Sequence, residues 1–226
     1  MSLATVPMLA ALPQLYRDRL ARWATELAPP DGTQVFTQLD PADAIFAIVG
    51  GDGHVRARSV DYQGKSLMVE VFRPGDIFGE VGVIDGDYRT ATAVVHGRVR
   101  LIRIPAAIFL EVLSQCPELG LGLTRLLTNR LRRTYSLLQD ASFETLEVRL
   151  ARQVLYLAER EGRQTEQGLR VAIRLRQGDL ADLLGTTSRS IITILNSWRA
   201  TGLVAYDTER AFLTLRDQAA LRALIG

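Results

Sequence analysis

Apolar positions recur near helical spacing over residues 8–28, where Leu12, Leu15, Leu20, Trp23 and Leu27 are separated by Arg17, Asp18, Arg19 and Arg22. This predicts one helix, stopped by Pro29-Pro30-Asp31-Gly32. From Thr33 to Ile104 the pattern shortens to strands. Gln34-Val35-Phe36 is one, and Ala44–Val49 is an unbroken apolar run. His54–Val60 alternates, and Ser66–Phe72 returns as its hairpin partner after a turn at Asp61–Lys65. Arg73-Pro74-Gly75-Asp76 is a second turn. Thr92–Val95 and Val99–Ile104 close the set around His96-Gly97-Arg98. Many short strands punctuated by glycine predict an antiparallel roll or jelly roll.

Beyond Pro105 the pattern is helical. Ala106–Ser114 is a short helix, broken at Gln115-Cys116-Pro117. Glu118 to about Leu138 reads as one long helix carrying Leu119, Leu123, Leu126, Leu127, Leu131 and Leu138. Leu119 and Leu126, and Leu131 and Leu138, are seven apart, as in a two-stranded coiled-coil seam. The plainer alternative is a helix packed on its own domain. Asp140-Ala141-Ser142 reads as a hinge or helix cap. A further helix spans residues 146–161, then a polar loop 162–168 and a small strand over 169–175. Gln177–Leu184 and a second helix running to about Ala200 flank Gly185, with a hydroxyl cap at Thr186 or Thr187. Ile191, Leu195 and Trp198 share its inner face. Residues 203–206 and 211–215 form a hairpin, and 217–225 a last helix. The fold class is thus α+β. Residues 1–116 form a ligand roll, 117–142 a dimerisation helix and hinge, and 143–226 a winged helix-turn-helix.

Composition narrows the chemistry. The 226 residues are 47% hydrophobic with a net charge of only +2, so any nucleic-acid surface is local. Cys116 is the one cysteine, and His54 and His96 are the only histidines. An internal disulfide, a cysteine- or histidine-rich metal site and a four-cysteine iron–sulfur cluster are excluded. Pro7 and Pro13 interrupt the N-terminal apolar residues, which lack the basic start of a signal peptide. No apolar run approaches the ~20 residues of a membrane helix. These features predict a soluble, cytoplasmic protein.

The stretch Phe78–Ala93, FGEVGVIDGDYRTATA, reads as a pocket for a small phosphorylated ligand. Gly79 lets the backbone approach a ligand closely. Arg89 offers a fork of donors to a phosphate diester, and Glu80 can accept from a sugar hydroxyl. The bland alternative is a strand-turn-strand with an ordinary Glu80–Arg89 ion pair. On the second helix of the helix-turn-helix, Ser188, Arg189, Ile192, Thr193 and Asn196 face outward, beside Thr187 and Ser190 at its start. Arginine pairs with guanine, asparagine with adenine and a methyl group with thymine, while helix-start hydroxyls hold phosphates. An ordinary two-helix corner is the competing interpretation. No nucleophile–base pair or metal site accompanies the pocket, so no enzyme activity is expected.

The pocket stretch resembles the phosphate-binding cassette of cyclic-nucleotide-binding domains, G-E-(apolar)-x-(apolar) followed by R-(S/T)-A. That resemblance implies ribose contacts at Gly79 and Glu80, with Val81 the next apolar residue. It implies cyclic-phosphate contacts at Arg89 and Thr90, followed by Ala91. Roll, long helix and winged helix-turn-helix together resemble the cyclic-AMP receptor protein/fumarate-nitrate regulator (Crp/Fnr) family of bacterial transcription factors. The family implies a homodimer whose two recognition helices read palindromic double-stranded DNA. It also implies a cyclic-nucleotide effector; the scarcity of cysteine and histidine predicts no metal and the lack of a long apolar run no membrane, and RNA polymerase is an expected further partner. Arg56, Arg58, Asp87 and Arg98 are candidate polymerase-facing charges. By position, Arg130 and Thr134 match the family's ligand-reaching arginine and threonine, and Tyr135 replaces a serine of some relatives. Thr187-Ser188-Arg189 stands where many relatives have S-R-E, so the usual DNA consensus is not implied. Threonine in the R-T-A context is associated with guanine in eukaryotic domains, so cyclic AMP and cyclic GMP both remain open. The same architecture would also admit a cyclic dinucleotide, or a roll that binds no nucleotide.

Overall fold

A computed structural model of the chain describes residues 3–226. The chain divides into two compact units, Met1–Arg132 and Arg133–Gly226.

In the first unit a 3-10 turn (Leu3–Thr5) leads to α1 (Pro7–Ala10), α2 (Gln14–Trp23) and β1 (Thr25–Leu27). The single helix expected over 8–28 is therefore divided. Pro13 has no N–H to donate and holds extended backbone (φ −54, ψ 147) before α2. At the other end, Thr25–Leu27 pairs with Arg103–Leu101 as an edge strand. Leu15 and Trp23, assigned to the apolar face, are exposed, while Leu12 and Leu20 are buried.

The roll follows as β2 (Gln34–Phe36), β3 (Ala44–Gly51), β4 (His54–Val60), β5 (Ser66–Phe72), β6 (Ile77–Phe78), α3 (Glu80–Asp85), β7 (Thr92–His96) and β8 (Val99–Pro105). Two antiparallel four-stranded sheets result, ordered β1-β8-β3-β6 and β2-β7-β4-β5. The apolar run of β3 is explained by burial on both faces. Ala44, Phe46 and Ile48 join Val55, Phe72, Phe78, Ala93 and Leu101 inside the roll. Ile45, Ala47 and Val49 join a second core with Leu9, Leu12, Leu20, Ile102, Phe109, Leu119 and Leu123. That second core receives α4 (Ala106–Gln115) and the start of α5 (Pro117–Phe143).

Helix α5 changes partner along its length. Leu119 and Leu123 are buried in the second core, with Leu126 and Leu127 packed against it. Leu119 and Leu126 thus belong to the inner face, which corrects half of the seam read from the sequence. The exposed face carries Leu121, Leu131, Tyr135 and Leu138. With Thr124, Thr128 and Ser142 these fall at alternating three- and four-residue steps, the spacing of a coiled-coil stripe. The expected break at Asp140-Ala141-Ser142 is absent, because α5 runs on to Phe143. Neither proline nor glycine interrupts it there, and the Ser142 hydroxyl donates back to the Leu138 carbonyl (2.9 Å) instead of capping.

The second unit continues with α6 (Leu146–Glu161), β9 (Gly162–Thr165), β10 (Gly168–Val171), α7 (Gln177–Leu184), α8 (Ser188–Ala200), β11 (Val204–Asp207), β12 (Phe212–Leu215) and α9 (Gln218–Ala223). Thr145 caps α6, its hydroxyl accepting from the Val148 N–H. The stretch 162–168, expected as a loop, supplies β9 and the first residue of β10, because its backbone completes a sheet ordered β11-β12-β10-β9. Its polar side chains carry no period-two signal. Leu150, Val154, Leu157, Leu180, Leu184, Ile191, Leu195, Trp198, Leu213 and Leu215 are buried in this unit.

A histidine pair sets an acid limit on the roll. His54 and His96 face each other across β4 and β7 with stacked rings, centroids 5.3 Å apart. Arg56 Nε donates to His54 Nε2 at 3.0 Å. Burial, helped by the Arg56 charge, pushes the His54 pKa down to about 3. The unfolded chain protonates this histidine near ~6.5. The stabilisation is therefore complete above that value and is lost as pH falls from there towards the folded pKa. Across this window the wild-type unfolding free energy should fall more steeply than that of His54→Gln, by up to about 1.4 kcal/mol per pH unit. Urea titrations at several pH values measure the difference, and parallel slopes would refute it.

Candidate functional site: ligand pocket and nucleic-acid interface

The candidate site is built on a reversal of the chain. Gly79 has φ +80, and a Cβ there would lie 2.8 Å from Arg89 Nη1, so conformation and space both require glycine. Its carbonyl then meets Arg89, whose Nη1 donates to Gly79 O and Nη2 to Ala44 O, both at 2.7 Å. Asp43 adds a 3.3 Å contact to Nη2, while its other oxygen holds Arg103 at 2.6 Å. The guanidinium lies over the Phe36 ring, 4.2 Å from its centroid, a cation–π placement. Arg89 is 2% exposed. Burial lowers its pKa from the usual arginine value, and the Asp43 carboxylate opposes that shift. Its Nε is buried and meets no acceptor among the described residues.

Glu80, at the first position of α3, is 1% exposed and pairs with Arg130 Nη1 of α5. Arg130 Nη2 donates to the Ile77 carbonyl (2.7 Å), and its guanidinium lies 5.0 Å from the Phe72 ring centroid. A pair of this kind helps only if both partners are kept. Val81 and Thr90 are exposed beside the buried charges, and Ala91 is buried inside the roll. The structure therefore gathers Gly79, Glu80, Arg89 and Arg130. Thr134, one turn further along α5, is exposed. The Glu80–Arg89 ion pair weighed from the sequence is not formed: Glu80 bonds Arg130, and Arg89 bonds Asp43 and two carbonyls.

Asp43, Phe36 and Phe72 carry the site without having been read from the sequence. Asp43 lies 46 residues before Arg89, and only the pairing of β3 brings it near. Arg56, considered as an exposed charge, is 4% exposed. It lies buried against His54 instead of facing a partner.

The outer face of α8 is as expected. Gly185 takes the left-handed conformation (φ 60, ψ 43) that turns α7 into α8. Thr187 caps α8, accepting from the Ser190 N–H at 3.2 Å. Ile191, Leu195 and Trp198 are buried, whereas Thr187, Ser188, Arg189, Ile192, Thr193 and Asn196 are exposed and Ser190 is half-buried. An exposed helix face with arginine, asparagine, hydroxyls and an aliphatic side chain offers each partner type for base edges in a major groove.

The chain matches the family models "cyclic nucleotide-binding domain" over residues 29–116 and "Crp-like helix-turn-helix domain" over 148–224. It is 29% identical over 194 residues to the CRP-like cAMP-activated global transcriptional regulator of Mycobacterium tuberculosis, covering 86% of each chain. It is 28% identical to the cyclic AMP receptor protein of Thermus thermophilus, covering 77% of each chain. The fold is shared with the c-di-GMP responsive global regulator CLP of Xanthomonas campestris. That likeness has a TM-score of 0.78 at 22% identity, covering 91% of this chain and 100% of that one. A CRP-family transcriptional regulator from Thermus thermophilus gives 0.73 at 22% identity, covering 89% and 96%. Roll, long helix and helix-turn-helix define a DNA-binding transcription regulator with a cyclic nucleotide-binding domain, not an enzyme. The chain belongs to the Crp/Fnr family.

The Glu80–Arg130 pair can be tested without ligand. Arg130→Ala leaves a buried carboxylate without its cation and should destabilise the protein by about 3 kcal/mol. Adding Glu80→Gln should recover part of that loss, because the amide needs no counter-charge. Urea denaturation of the two variants measures both, and an Arg130→Ala protein as stable as wild type would contradict the assignment.

Proposed function

We propose that the roll binds a cyclic nucleotide, cyclic AMP or cyclic GMP, and that occupancy sets the geometry of two DNA-reading helices in a homodimer. One observation carries the ligand reading. Arg89 is buried, its two terminal nitrogens are held by the protein, and its Nε meets no acceptor among the described residues. A buried unsatisfied donor costs about 1–3 kcal/mol, and a phosphate oxygen is the natural group to satisfy it. The names of the Mycobacterium and Thermus relatives support the same class of ligand. Gly79, Glu80 and Val81 would meet the ribose side, and Arg89, Thr90 and Ala91 the phosphate. Arg130 would hold Glu80 in place, and Thr134 would offer its hydroxyl to the base. Thr187, Ser188, Arg189, Ser190, Ile192, Thr193 and Asn196 would contact DNA.

In this reading residues 1–116 are the sensor, 117–142 the dimerisation helix, and 143–226 the DNA-binding domain. The stripe of Leu121, Leu131, Tyr135 and Leu138 supports dimerisation, since four large apolar side chains in coiled-coil register are exposed on one helix face. The ligand would bind one arrangement of the helices better than another, shifting the population by that difference. The favoured arrangement keeps α5 helical through Gln139–Ser142 and separates the recognition helices by one DNA turn, ~34 Å. The protein would act in the cytoplasm with RNA polymerase as its further partner.

Three measurements test this reading. Calorimetry should show binding of cyclic AMP or cyclic GMP, and Arg89→Ala, checked for folding, should abolish it. Unchanged affinity in that variant would remove the pocket assignment. Heat from cyclic di-GMP alone would favour the cyclic-dinucleotide alternative. Leu131→Glu with Leu138→Glu should convert a dimer to monomers in analytical ultracentrifugation. Finally, Arg189→Ala should weaken binding to a preferred duplex by about tenfold while leaving non-specific DNA affinity nearly unchanged.

A further inference from the structure

Helix α8 packs on its own unit mainly through Ile191, Leu195 and Trp198. Apolar packing of this kind turns one face of the helix inward but, being non-directional, fixes the rotation about its axis only coarsely. Among the described residues, one side-chain hydrogen bond joins α8 directionally to another helix. Trp198 is 1% exposed, yet its indole Nε1 donates at 2.8 Å to Glu147 Oε1, in the first turn of α6. Two residues on, Arg149 Nη2 donates to the carbonyl of Leu184, the last residue of α7. The first turns of α6 thus grip both helices of the helix-turn-helix by hydrogen bonds. The same helix is tied to the end of α5, because Arg152 bonds Asp140 in its last turn and Glu144 just beyond it.

We infer that Glu147 is a positioning residue for DNA recognition. Through the Trp198 indole it sets the rotation of α8 and so the aim of Arg189, Thr193 and Asn196 at base edges. The inference rests on the reading of α8 as the DNA-reading helix. Side-chain tips stand roughly 6 Å from a helix axis, so a ~10° rotation carries them about 1 Å. A displacement of that size degrades paired hydrogen bonds to a base, whose geometry is narrow. Contacts to phosphates, made by flexible cations and helix-start hydroxyls, tolerate it better. The competing account is that a buried indole merely needs some acceptor. Loss of Glu147 would then change stability and leave recognition alone.

The experiment uses the full-length protein with cyclic AMP and, separately, cyclic GMP. Wild-type protein enriches a preferred duplex from a random-sequence pool. Affinities for that duplex and for poly(dI-dC) are then measured at one salt concentration, since the non-specific part is salt-dependent. Glu147→Ala and Trp198→Phe should each lower the ratio of preferred to non-specific affinity by about tenfold. The double variant should lose no more than either single change, because both remove the same bond. Glu147→Gln keeps an acceptor and should stay within about twofold of wild type. Circular dichroism checks that each variant is folded. If Glu147→Ala does not fold, Trp198→Phe, which keeps the buried ring, and Glu147→Gln decide the question. Folded variants with the wild-type ratio, or losses that multiply in the double variant, would overturn the inference. A wild-type protein that enriches no sequence would sink the reading of α8 itself, and this inference with it.

Discussion

Two opposite charges buried within one chain reversal govern the ligand half of this molecule. Arg89 and Glu80 are each almost fully withdrawn from water, and neither would be tolerated there alone. Each is held by different partners. Arg89 is held by the carbonyls of Gly79 and Ala44, with Asp43 and the Phe36 ring alongside. Glu80 is held by Arg130, which reaches back from α5. Keeping the two charges on separate partners prevents them from cancelling each other within the reversal.

The same separation brings α5 into the site. Because Arg130 supplies the counter-charge for Glu80, the electrostatics of the roll depend on a residue of the long helix. Further along, α5 presents an apolar stripe, and its last turn is bound by Arg152 to α6. Residues of α5 therefore contribute to the charged site of the first unit, to an exposed apolar face and, in the second unit, to a tie with α6.

Much of this was legible in the sequence, and what was not had physical causes. The roll, the cassette Gly79–Ala91 and the order α7–Gly185–α8 follow from local patterns: alternation, a dense motif, and a left-handed turn residue before a hydroxyl cap. The boundaries that failed were decided by distant residues. Thr25–Leu27 has too little β signal to be seen as a strand until β8 offers its edge. Residues 162–165 carry no apolar side chain and become a strand by backbone pairing alone. In α5, Leu119 and Leu131 carry the same side chain, yet one is buried and the other exposed. Spacing within the helix could not separate them, because the neighbour that covers Leu119 comes from other parts of the chain. Asp43 and Phe72 escaped for the same reason, since nothing local marks a residue whose partner is tens of positions away.

The double burial of β3 has a further effect. Its odd and even positions feed different interiors, one enclosing the pocket residues and one receiving α2, α4 and the start of α5. A surface strand can drift on its wet side without consequence, whereas this one has no wet side between Ala44 and Val49. Changes in volume on either side are transmitted through a backbone wedged between two solids. Variation in this unit should therefore accumulate in α3 and the loops around it, while the strand beneath stays fixed.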